Sequence, residues 1–190
     1  MELHLLRHGK TIANEQRLYC GHTNLPLSEK GIAELQELKS QHIYPKQADI
    51  YFTSGLLRTQ QTLYQLYGPV QSTAILQLKE YNFGSFEMKS HDDLDGQAEY
   101  QSWIDDTTNL YACPGGESKQ DFALRVSKGL AMLLAQAHKA SALAVCHGGV
   151  ITYIMQELFP DQRNFYEWQP APGRGYTITA APNGLKYNNI

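Results

Sequence analysis

The chain has 190 residues, long for one domain and short for two, and a domain of that size buries roughly 70% of its unfolded surface. Its net charge of −3 and pI of about 6.1 provide no general basic field. That argues against nucleic acid or an anionic membrane as partner, and any pull on an anion must come from a local cluster of cations. The three cysteines, Cys20, Cys113 and Cys146, are odd in number and far apart, which reads as reduced thiols of a cytoplasmic protein and not as a disulfide framework. The N-terminus enters a strand without the basic and apolar stretches of a signal peptide, and no run approaches the ~20 apolar residues of a membrane span. A single domain over residues 1–190 is expected.

In chain order, Leu3-His4-Leu5-Leu6 reads as a short buried strand, of the kind found in parallel sheets, leading into Arg7-His8-Gly9. Pro26 and Ser28 open a helix with Ile32, Leu35 and Leu38 at helical spacing. Residues 49–53 form a second buried strand, followed by a helix from about Leu56 to Tyr67 that Gly68-Pro69 ends. Residues 81–117 read as a long irregular region with one short helix, and long loops in compact domains are often functional. Ser118 with Asp121 resembles a capping box ahead of a helix carrying Phe122, Val126, Leu130, Leu133 and Leu134. A strand of residues 142–146 then ends at His147-Gly148-Gly149, with a helix from Gly149 to Leu158 and extended segments near 164–168 and 176–181. Alternating strands and helices specify an α/β three-layer sandwich, its central sheet mostly parallel and flanked by helices.

Two histidines, each at the end of an apolar strand and each followed by glycine, meet in one crevice if both strands lie in that sheet, because ligands gather outside the carboxyl ends of parallel strands. Histidine attack on a phosphate needs a neutral imidazole, glycine where backbone approaches the oxygens, and several donors for the charge on the transferring group. His8 is the candidate nucleophile. Arg7 supplies a guanidinium fork that also disfavours a protonated His8, and Arg58, on the helix after the second strand, supplies another. His147 adds a donor, and Gly148 and Gly149 open a helix whose free N–H groups favour an anion. Glu80, which opens the irregular region, is the candidate acid for the leaving oxygen.

These pieces fall in a familiar order. Leu6-Arg7-His8-Gly9-Lys10-Thr11 with Asn14, Cys20-Gly21-His22 through Pro26-Leu27-Ser28, Ser54-Gly55-Leu56-Leu57-Arg58, Glu80 with Phe83-Gly84, Pro114-Gly115-Gly116-Glu117-Ser118 and Cys146-His147-Gly148-Gly149 resemble the histidine phosphatase superfamily, in the branch of the cofactor-dependent phosphoglycerate mutases. The match runs from residue 3 to about 154. The resemblance implies a phosphoglycerate mutase-like fold, phosphorylation of His8, a clamp of Arg7, Arg58 and His147, proton donation by Glu80, and substrate contacts from Asn14, Gly21 and Gly148. No cofactor or metal is implied, and the partner is a small phosphomonoester. Leu18 to His22, Phe83 to Met88 and His91-Asp92-Asp93-Leu94 are similar to the alpha-ribazole-5'-phosphate phosphatases of cobalamin assembly. Three positions depart from the pattern: Lys10 in place of an acid or amide, Ser85-Phe86 in place of an acidic-Trp pair, and Gly55 before Leu56.

Rival readings weigh differently. Taken singly, His8 is a histidine capping a carbonyl, Arg58 a solvated helix residue among Gln60, Gln61 and Gln65, and Glu80 a surface glutamate; only their order argues otherwise. A cysteine phosphatase requires arginine six residues after its cysteine, where this chain has Thr152 and Pro26. No P-loop occurs, and His91-Asp92-Asp93 lacks metal-ligand spacing. A sugar-phosphate phosphatase, a phosphoglycerate mutase and a non-catalytic phosphate-binding module stay in view. The mutase is disfavoured by the short stretch between Glu80 and Pro114, the module by a nucleophile and an acid that binding alone does not need. Whether the chain pairs as a homodimer is left open, as are the leaving group and the role of Lys10.

Overall fold

The computed structural model describes residues 1–138, 140–160 and 163–190. Strand β1 (Glu2–Arg7) is followed by the helical turn α1 (Ile12–Glu15), helix α2 (Glu29–Ser40), strand β2 (Ile50–Thr53), helix α3 (Leu57–Tyr67) and the short strand β3 (Ser72–Ala74). Two 3-10 turns, Leu76–Leu78 and Gly84–Phe86, precede helices α4 (His91–Leu94), α5 (Ala98–Ile104) and α6 (Lys119–Ala137). Strand β4 (Ser141–Cys146), helix α7 (Gly148–Leu158), a 3-10 turn at Tyr166–Trp168 and strands β5 (Gly175–Ala181) and β6 (Gly184–Asn189) complete the chain.

The six strands form one sheet in the order β3-β2-β4-β1-β5-β6. β3, β2, β4 and β1 run parallel, while β5 is antiparallel to both its neighbours, so the sheet is mixed. Its two central strands are buried on both faces, which is why they read as unbroken apolar runs. Side chains alternate between those faces: Leu3, Leu5, Ala142, Ala144 and Cys146 pack with Val126, Leu130 and Leu133 of α6 and Val150, Ile151 and Ile154 of α7. Leu6, Leu143 and Val145 face the other way, against Leu35 of α2 and Leu63 and Leu66 of α3. The chain therefore leaves β1 toward one layer and β4 toward the other. Adjacent parallel strands whose connections part in this way open a crevice at their carboxyl ends.

The helix starts agree with their capping chemistry. Ser28 Oγ accepts from Gly31 N–H at the head of α2, and Ser118 and Asp121 exchange both bonds of a capping box at the head of α6. Two expectations need correction. Residues 81–117 hold two short helices and a 3-10 turn instead of one helix, because Phe86, Leu94 and Tyr100 each turn into the core and fix a local turn. The segment near 164–168 is not extended but a 3-10 turn: Asn164 and Glu167 hydrogen-bond each other's backbone N–H, and Trp168 is fully buried against Phe159 and Tyr187. Strands β3 and β6 and the turn α1 were not foreseen.

Candidate active site

The crevice brings together the two strand-end histidines. The ladder between β1 and β4 continues one residue beyond both strands, as His8 N–H donates to the Cys146 carbonyl at 3.0 Å, and the rings of His8 and His147 lie 5.1 Å apart, edge to face. His8 Nδ1 is 2.7 Å from the Gly9 carbonyl oxygen. A carbonyl only accepts, so Nδ1 carries the proton and Nε2 presents its lone pair. Arg58 Nε–H donates to that lone pair at 3.2 Å. Helix α3 thus delivers Arg58 to His8 Nε2, and one turn later Thr62 Oγ1 accepts from Gly9 N–H at 3.0 Å, tying the loop after β1 to the same helix.

The electrostatics follow from this enclosure. Burial, then the Arg58 and Arg7 guanidinium charges, hold the His8 imidazole well below the usual histidine range, against a smaller upward pull from its Gly9 bond. Burial lowers His147 in the same direction, with Arg58, His8 and Arg7 adding to it. Both rings are therefore neutral near pH 7. Burial also lowers Arg7 and Arg58, although carboxylates nearby (Glu80 for both) oppose it, and their ordinary values leave both charged.

Arg7 Nη1 donates to the Pro170 carbonyl at 2.8 Å, and its guanidinium packs against Gly148, the first residue of α7. Among the described residues, Arg7 Nε and His147 Nδ1 are buried without a protein hydrogen-bond partner. His147 Nε2 lies 2.8 Å from Ser54 Oγ, which in turn lies 3.3 Å from Thr59 Oγ1, whose own proton goes to the Leu56 carbonyl. A buried N–H donor left unmatched, as Arg7 Nε is near His8, is costly in isolation, about 1–3 kcal/mol, and suits an incoming anion.

Glu80 closes the crevice from the other side. Its Oε2 accepts from Gly149 N–H at 2.9 Å and its Oε1 from Tyr81 N–H at 3.0 Å. Helix α7 has no side-chain cap of its own, so Glu80 caps it from the far segment. Arg125, paired with Glu117 at 2.6 Å, also donates to the carbonyls of Gln77, Lys79 and Glu80 and so fixes the segment that carries Glu80.

The eight anticipated residues separate by what they touch. His8, Arg7, Arg58, Glu80, His147 and Gly148 meet in the crevice, and the Gly21 carbonyl accepts from Arg58 Nη2 at 2.6 Å. Asn14 does otherwise: its Oδ1 accepts from Thr11 N–H and its hydrogen bonds stay within the capping box of α1. Lys10 pairs with Glu34 of α2 at 2.8 Å, which explains why a cation is tolerated next to Gly9. Ser54, Thr62, Glu87 and Arg125 support the site without having been anticipated. Thr62, four residues after Arg58 on one helix face, was within reach of sequence spacing; the others become partners only through tertiary contacts. Burial pushes the Cys146 thiol up, away from a thiolate nucleophile. Among the described residues no group of His, Cys, Asp or Glu side chains is arranged to hold a metal, and no helix is long and apolar enough to cross a membrane.

Comparison with known proteins agrees with this geometry. The chain is 35% identical over 165 residues to the adenosylcobalamin/alpha-ribazole phosphatase of Escherichia coli strain K12, covering 83% of this chain and 79% of that one. The crystal structure of the alpha-ribazole phosphatase from Shigella flexneri superimposes with a TM-score of 0.85 at 29% identity, over 100% of this chain and 96% of that one. A phosphoglycerate mutase from Thermus thermophilus superimposes with a TM-score of 0.75 at 28% identity, over 100% and 98% of the two chains. The family description matched by residues 3–187 places them together: the chain belongs to the histidine phosphatase superfamily, branch 1.

Proposed function

We propose that this phosphatase hydrolyses a small phosphomonoester through a phosphohistidine at Nε2 of His8, and that alpha-ribazole-5'-phosphate is its substrate. The observation that carries the chemistry is the lone pair of His8 Nε2 beside Arg58 Nε, flanked by the unmatched buried nitrogens Arg7 Nε and His147 Nδ1. In the first step Nε2 bonds to phosphorus as the ester P–O bond breaks, and Glu80 protonates the departing oxygen. Arg7, Arg58 and His147 receive the three equatorial oxygens, where charge is spread in the transition state. In the second step water, giving its proton to Glu80, attacks phosphorus and the N–P bond breaks, releasing phosphate and restoring the neutral imidazole.

The choice of leaving group rests on the relatives named for alpha-ribazole and on a cluster of rings carried by segments next to Gly21 and Glu80 in the chain. Tyr19, Phe83 and Trp103 are half-buried with centroids 5.0 to 6.0 Å apart, a surface on which an aromatic base can stack. Phe86 and Tyr81, close by in the chain, are buried in the core and do not contribute. The unpaired cysteines accord with a cytoplasmic setting, and residues 1–190 act as one domain in this reading. The test ranks phosphomonoesters by kcat/KM and adds 3-phosphoglycerate with its bisphosphate primer. Alpha-ribazole-5'-phosphate should lead; preference for a sugar phosphate overturns the substrate, and mutase turnover faster than hydrolysis overturns the reaction.

A further inference from the structure

Glu87 lies outside the set of groups that surround His8, yet its carboxylate gathers the backbone of a whole loop. Gly21 N–H donates to both of its oxygens at 3.0 Å, His22 N–H to Oε1 at 2.8 Å and Thr23 N–H to Oε2 at 3.2 Å. The Thr23 hydroxyl adds a donor at 2.7 Å and Phe83 N–H another at 3.3 Å. Successive N–H groups converging on one anion form a rigid nest. The same residues turn carbonyls the other way: Gly21 O accepts from Arg58 Nη2 at 2.6 Å and Thr23 O from Nη1 at 2.8 Å. Those two bonds hold the guanidinium by its far end and leave Nε 3.2 Å from His8 Nε2. The loop passes so close that a Cβ at Gly21 would lie 1.6 Å from the Tyr81 carbonyl oxygen, so it has no slack with which to correct a shift.

We propose that Glu87 is a positioning residue for phosphoryl transfer: it fixes residues 21–23, and through their carbonyls sets where Arg58 meets the nucleophile. This rests on the role given to Arg58 above. Glu87→Gln keeps the shape but turns an N–H2 group toward backbone N–H donors, so the nest opens. With p-nitrophenyl phosphate, kcat should fall about 10- to 100-fold, the range seen when partners of functional ligands are removed. The acid limb of kcat/KM should move to higher pH, because a displaced guanidinium no longer disfavours protonated His8. In an Arg58→Ala background the same substitution should cost less than about threefold, since coupled residues are non-additive.

A lowered Tm with unchanged rate per folded molecule, an unmoved acid limb, or full additivity with Arg58→Ala overturns the inference. If Glu87→Gln does not fold, Thr23→Val removes one bond of the nest, and the same two readouts decide in the same way. The underlying reading fails separately: near-normal activity of Arg58→Ala removes Arg58 from the clamp, whereas a crippled Arg58→Ala beside an unaffected Glu87→Gln refutes only the positioning role.

Discussion

The proposed attack on phosphorus requires a neutral His8 imidazole, and burial and two guanidinium groups hold the ring in that form. The acid limb of kcat/KM should accordingly lie well below the ordinary histidine value of about 6.5. Arg58→Ala should lower kcat about 10²- to 10³-fold, as for loss of one preorganised donor, and raise that limb; a loss below tenfold makes Arg58 a bystander. His8→Ala should abolish turnover and the alkali-stable phosphoenzyme while its thermal melt stays within a few degrees of the parent. Arg7, His8, Arg58 and His147 were legible because each sits at a strand end or a helix start, and Glu80 only by its place in the order. Asn14 was legible only as a motif member, and its oxygen is taken by a local cap. Glu87 stood in view within Phe83-Gly84-Ser85-Phe86-Glu87, but no spacing rule links residue 87 to residues 21–23.

At the scale of elements, helix α7 and the segment around Glu80 are a single device, since the acid caps the helix whose first residues border the clamp. A Cβ at Gly149 would come 2.6 Å from Glu80 Oε1, the movable end of a side chain, so Gly149→Ala should fold and displace the carboxylate. Its kcat should fall more for an alkyl phosphate, whose leaving oxygen needs a proton, than for p-nitrophenyl phosphate; equal losses would detach Glu80 from proton donation. The longer elements with a strong apolar period were legible to within two residues. Strand β6 was not, although Asn183-Gly184 between β5 and the alternating Leu185 and Tyr187 is a hairpin signal that had been available. The three exposed residues of β3 carry no pattern, and the turn at 166–168 exists because of one buried tryptophan.

For the molecule as a whole, the buried imidazoles tie stability to pH. In the unfolded chain His8 and His147 return toward about 6.5, whereas in the folded chain both are held lower. Below that value the unfolded chain binds protons that the folded chain does not, so stability is full above about 6.5 and declines as pH falls beneath it. His4, lowered by burial, acts in the same direction. Thermal melts should show Tm dropping between pH 7.5 and pH 5.5, with a smaller drop in His147→Asn; a flat profile in the parent chain contradicts the assignment of neutral buried rings.

Every recognisable motif of this chain lies before residue 160, but Arg7 is held by the carbonyl of Pro170, and β1 is flanked on one side by β5. A truncated gene copy ending near 160 would pass any motif inspection while leaving its central strand with a bare margin and its first arginine untethered. Such relics should be inert and prone to aggregate, which makes the motif-free tail a better guide to a working copy than the signature itself.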